Sequence, residues 1–176
     1  NQGLPTQIPH DERYDIADEF LDVCYKLWEG SWEDGAVIKD RERGIYADPS
    51  KVHPIGHKGK YFSVPGISLT EPSPQRTPVI FQAGASSRGQ KFSGKHAEAV
   101  FISALRPDLT RVVTDRIRAA AEEQGRSRDD VKILAMLSVI VDETEEKAKA
   151  KYEEYKKYIN LDSAQAIIGG WSGVDL

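Results

Sequence analysis

Apolar residues recur every three to four positions between residues 11 and 28. In DERYDIADEFLDVCYKLW, Ile16, Phe20, Val23, Cys24 and Leu27 fall on one side of a helix. Asp11 is placed to cap the first turn, where acidic residues suit the helix dipole. Tyr14 sits in that turn, near the backbone amides a helix leaves unpaired. The pattern then dissolves. Residues 29–77 are rich in Gly, Pro, Ser and Asp and hold only short β-like pieces, AVIK and KYFSV. This predicts a long excursion with one or two hairpins, of the kind that usually forms a lid or binding loop.

From Pro78 onward the pattern turns regular. Continuous apolar runs at 79–83, 99–103 and 131–142 read as strands buried on both faces. Amphipathic segments at 87–99 and 108–124 separate them. The first has Ser86 as its cap; the second has Val113, Ile117, Ala120 and Ala121 inward and Gly125 as its stop. A charged helix follows over 143–159, its start read as an Asp142–Glu145 capping box. The last ten residues, IIGGWSGVDL, are Gly-rich and carry no helix stop. Strands alternating with helices predict an α/β fold whose three strands pair in parallel, with the helices on one side. The three strands fit either part of a closed barrel or part of an open doubly wound sheet.

Composition narrows the function classes. Across 176 residues, 39% are hydrophobic and 30% charged, with a net charge of −4. No basic patch interleaved with aromatics suggests nucleic-acid binding, and no apolar run has the length of a membrane span. No secretory signal is visible, and a single cysteine, Cys24, suits a reducing, cytoplasmic setting. The chain does not begin with Met, so its start is expected to be processed, trimmed or internal to something longer.

The candidate chemistry lies at PVIFQAGASSRG. A strand runs into Gly84-Ala85-Ser86-Ser87 and then into a helix, which fits an anion cradle of free amides, helix dipole and serine hydroxyls. It also fits a plain βα turn with a serine cap. The spacing is neither that of a Walker A loop nor that of a GxGxxG fingerprint. His53 and His57 stand four apart in HPIGH, without the Cys or carboxylate cluster a metal site needs, so no metal is expected. His96 reads as a hydrogen-bonded packing residue. Trp28, Trp32 and Tyr61 read equally as pocket lining or as the excursion's seal.

SPQRTPVIFQAGASSRGQKFSGKHAEAVF resembles the nitrilotriacetate, EDTA and dibenzothiophene-sulfone monooxygenases, a group of the bacterial-luciferase-like flavin-dependent monooxygenases. RYDIADEFLDVCYKLWEGSWEDGAVIKD, YADPSKVHPIGHKGKYFSVPG, DETEEKAKAKYEEY and GWSGVDL resemble them too, in the same order, over essentially the whole chain. The resemblance implies part of a (β/α)8 TIM barrel over 1–176, with 29–77 as an insertion near the barrel mouth. It implies reduced FMN as cofactor, held at the strands' C-terminal ends, with the phosphate on Gly84, Ala85 and Ser86. Tyr14 would touch the phosphate or ribityl region, Gln82 would point toward the mouth, and His57 would approach the substrate.

The residues match the middle of longer family members, whose ring-binding residues and probable catalytic histidines lie earlier. No catalytic residue is therefore assigned within this chain. The implied partners are a separate NAD(P)H:flavin reductase, molecular oxygen and a small organic substrate. Unpaired sheet edges invite self-association into a homo-oligomer. A fragment without activity of its own, binding a phosphate or a partner, stays open beside the enzyme.

Overall fold

The computed structural model describes residues 3, 6–84, 86–103 and 106–172. Helix α1 (His10–Tyr25) runs on through one π-helical turn at Lys26–Gly30. Its cap is Pro9, not Asp11. Asp11 lies inside the first turn, where its carboxylate meets His10 instead of the free amides.

The excursion forms two small antiparallel hairpins, β1 (Val37–Asp40) with β2 (Ile45–Ala47), and β3 (His57–Lys58) with β4 (Ser63–Val64). A parallel sheet follows, ordered β5 (Phe81–Ala83), β6 (Ala99–Ser103), β7 (Lys132–Met136). Helix α2 (Ser87–His96) links β5 to β6, and α3 (Pro107–Glu123) leads toward β7. Helices α4 (Glu145–Lys156) and α5 (Leu161–Ser172) close the described chain. Helix α5 has no counterpart in the sequence reading, because its glycines masked the helical period. Thr144, not Asp142, caps α4: its hydroxyl accepts from the Lys147 amide, while Asp142 pairs with Lys151.

The core lies between α2, α3 and one sheet face. Ala97, Val100, Ile102, Ile117, Ala121 and Val131 are buried together, with Val113 and Ile133 packed on them. The two helices approach closely at Gly94, where an added Cβ would stand 2.5 Å from the Ala120 carbonyl carbon. Arg126 ties the end of α2 into place, donating to the Gly94 and Ala97 carbonyl oxygens at 2.8 Å each.

The strands are not buried on both faces. Phe81 and Phe101 stack at 5.7 Å between centroids on the face away from the helices. Phe81, Phe101, Leu134 and Met136 are all exposed there. Two strands are also shorter than their apolar runs. β5 starts at Phe81, with Val79 exposed, and β7 ends at Met136, the last residue paired with β6. Leu137, Val139 and Val141 continue the run but are exposed, with no strand beside them among the described residues.

Candidate functional site

Helix α1 runs against the strand direction. Tyr14, at its start, reaches the C-terminal end of β5, whereas Tyr25, at its end, bonds His96 just before β6. The excursion leaves α1 after Tyr25 and rejoins the chain at Thr77, so it is rooted at the strands' N-terminal edge. Trp28 and Trp32 line a shallow cleft at that edge with Pro72, Arg76 and Pro78, and the Trp32 indole donates to the Ser68 carbonyl.

The loop after β5 brings three expected residues together. Ser86 is the cap of α2, and its hydroxyl accepts from the Gly89 amide at 3.0 Å. The Tyr14 hydroxyl lies over the same turn. A Cβ on Gly84 would stand 2.8 Å from the Tyr14 oxygen; a Cβ on Gly89 would stand 2.6 Å from it and 3.0 Å from Ser86 Oγ. Both positions are therefore glycine so that the backbone can lie against Tyr14. Ala85 lies outside the described residues.

Gln82 sits below this turn on the helix side, in register with buried Val100. Its amide Nε2 is 3.5 Å from the Tyr14 hydroxyl, and its Oε1 is 2.9 Å from Ser93 Oγ. Its side chain thus supports Tyr14 from beneath, on the helix side of the strand.

Each hydroxyl at the turn accepts a hydrogen bond from the protein and retains its own proton to donate. The first amides of α2 and its positive dipole end face the same place. This is the donor set a phosphate monoester needs.

His57 is placed elsewhere. It is buried in β3, with Nδ1 at 3.0 Å from Lys26 Nζ and Nε2 at 3.1 Å from Glu19 Oε1. A lysine ammonium only donates, so Nδ1 accepts and Nε2 carries the proton toward Glu19. Glu19 also accepts from the Tyr61 and Phe62 amides. Burial works to raise its carboxyl, but these bonds outweigh that and hold it at about 2, below the ordinary 4.5. Ionised Glu19 therefore fastens the second hairpin to α1, an anchor fully present above pH 4.5 and lost as pH falls toward 2. Glu19→Gln is expected to flatten the loss of stability across that window. Urea midpoints measured from pH 5 to pH 2 check this; an unchanged acid slope would rule the anchor out.

Sequence reasoning missed Asp18, which gathers Arg88 at 2.5 Å, His96 at 2.6 Å and Lys95 at 3.2 Å. These partners lie 70 to 78 positions away, and only the packing of α1 on α2 joins them. Burial opposes Asp18's charge, yet the three partners hold its carboxyl below the usual range. Burial pushes His96 down, only partly offset by Asp18. A neutral His96 donating to an Asp18 carboxylate fits both directions, with the Tyr25 hydroxyl closing the other ring nitrogen at 3.0 Å.

Residues 2–169 match the family model described as luciferase-like monooxygenase. The chain is 54% identical over 175 residues to the dimethyl-sulfide monooxygenase of Hyphomicrobium sulfonivorans, covering 99% of this chain and 36% of that enzyme. It is similar to the crystal structure of a long-chain alkane monooxygenase, with 53% identity and a TM-score of 0.88 over 98% of this chain and 40% of that one. It is also similar to a riboflavin lyase solved with modified FMN and riboflavin, with 42% identity and a TM-score of 0.87, covering 97% of this chain and 38% of that one. The chain thus spans about two fifths of the length of these relatives.

Proposed function

Because the chain belongs to the luciferase-like monooxygenase family, whose TIM-barrel fold its parallel sheet shares in part, we propose that it supplies the flavin-phosphate site of a monooxygenase using reduced FMN. Bound reduced flavin supplies the two electrons that activate dioxygen toward a small organic substrate. A separate NAD(P)H-dependent reductase would deliver the flavin, in the cytoplasm. Residues 1–176 act as one barrel segment in this reading.

The observation that carries it is the convergence of the Ser86 and Tyr14 hydroxyls and the start of α2 at the C-terminal end of β5. Ligand sites of (β/α)8 enzymes sit at that end. Within the proposal, Ser86 and the α2 amides hold the phosphate and Tyr14 adds a second hydroxyl donor. Gly84 lets the turn approach, and Gln82 steadies Tyr14 from below. His57 serves the substrate side only through the hairpin it anchors.

Ser86→Ala in the intact protein tests this. A hydrogen bond to a charged group contributes about 1.5–3 kcal/mol, so FMN affinity is expected to fall about 10- to 150-fold. The lost cap also costs about 1 kcal/mol of stability. Fluorescence titration with FMN, beside melting without flavin, separates the two. Unchanged FMN affinity with only a lower melting temperature would leave Ser86 a plain helix cap.

A further inference from the structure

We infer that Asp18 is a positioning residue for the phosphate site, acting through Arg88 on the Tyr14 hydroxyl; the inference rests on the flavin-phosphate reading above. Tyr14 makes no direct contact with Asp18 in the described hydrogen bonds; Arg88 stands between them. The Arg88 guanidinium carbon lies 5.6 Å from the Tyr14 ring centroid. Phe92 packs on the same ring at 5.4 Å and His10 meets its edge at 5.3 Å. The ring is thus held by two aromatic neighbours and one cation.

Arg88 belongs to the first turn of α2, yet its side chain turns away from that helix end and across to α1. There Nη2 donates to Asp15 at 2.8 Å and to Asp18 at 2.5 Å. The two carboxylates differ in what fixes them. Asp15 is 55% exposed, whereas Asp18 is 21% exposed. Asp18 is also bonded to His96, which is nearly buried and locked from behind by Tyr25. Asp18 is therefore the rigid half of the clamp.

Clamped Arg88 covers the Tyr14 ring and keeps the hydroxyl aimed at the Gly84–Gly89 turn. Arg88's own charge is meanwhile balanced by Asp15 and Asp18. Its effect on a phosphate monoester is therefore exerted through Tyr14, not by direct pairing.

A positioning role and a merely structural one differ in which ligand they affect. Riboflavin lacks the phosphate and FMN carries it. Asp18→Asn keeps the side-chain volume and removes the charge. In the intact protein it is expected to weaken FMN about 3- to 30-fold, the range a cation–π contact spans, and to leave riboflavin affinity unchanged. In a Tyr14→Phe background, Asp18→Asn should have no further effect on FMN, because the group it positions is gone.

Equal weakening of FMN and riboflavin, no change in either, or a loss of FMN affinity that persists without the Tyr14 hydroxyl would each overturn the inference. Should Asp18→Asn fail to fold, Arg88→Met takes its place in the same titrations, with the same expected and overturning results. A parent protein that binds riboflavin as tightly as FMN would overturn the phosphate reading itself, and this inference with it. A parent that prefers FMN and keeps that full preference as Asp18→Asn would overturn only the inference.

Discussion

Gly94→Ala is expected to lower stability by about 2 kcal/mol. Overpacking a tight core contact costs up to about 3 kcal/mol, and replacing a helix-interior glycine by alanine returns about 1 kcal/mol. The new methyl group would stand 2.5 Å from the Ala120 carbonyl carbon and 2.7 Å from the Ala121 nitrogen. These are backbone atoms of α3, so no side chain can swing aside. The helices must separate, which opens the Ala97–Ile117–Ala121 core. Gly30→Ala is the control: a Cβ there has nothing within 4 Å, so it should be neutral or mildly stabilising. Urea midpoints of the two variants check the pair. A Gly94→Ala variant as stable as Gly30→Ala would mean that α2 and α3 do not approach as described.

Gly89→Ala should cost less stability than Gly94→Ala, because the helix propensity gained offsets the Ser86 cap lost, while abolishing tight flavin binding. Its Cβ would meet the Tyr14 oxygen at 2.6 Å and Ser86 Oγ at 3.0 Å. Ser86 can rotate away and the Tyr14 ring must shift within its packing against Phe92, His10 and Arg88, so the fold survives but both proposed phosphate donors are displaced. Two hydrogen bonds of about 1.5 kcal/mol each correspond to a loss of about 100-fold or more in FMN affinity. FMN titration with parallel melting curves reads both quantities. FMN binding that survives the substitution would show that Tyr14 and Ser86 do not hold the phosphate.

The two glycines also mark how far the sequence could be read. The Ser86 cap, β6, α3 with Ile117, Ala120 and Ala121 inward, and the parallel order of the three strands were all legible, because each follows from a local period or a capping residue. Strand length was not. The run from Leu137 to Val141 is as apolar as β7, but a strand requires a paired neighbour, and pairing with β6 stops at Met136. Thr144 displaced Asp142 as the α4 cap by a shift of two residues, within the reach of either polar side chain. The clamp at Asp18 and the Glu19–His57 anchor were invisible, since their partners meet only once α1 packs on α2 and on the second hairpin. Nothing in the local sequence distinguishes Gly89 from Gly94 within the helical segment. Only the neighbours of their missing Cβ atoms show that one accommodates a ligand-facing tyrosine and the other a second helix.

The central claim is that the turn after β5 holds the flavin phosphate. A crystal structure of the intact protein with FMN tests it most directly. The expected result places phosphate oxygens about 2.7–3.2 Å from Ser86 Oγ, the Tyr14 hydroxyl and the first α2 amides, as hydrogen bonds require. FMN bound with its phosphate away from these groups, and the Ser86 hydroxyl serving only the Gly89 amide, would contradict the account.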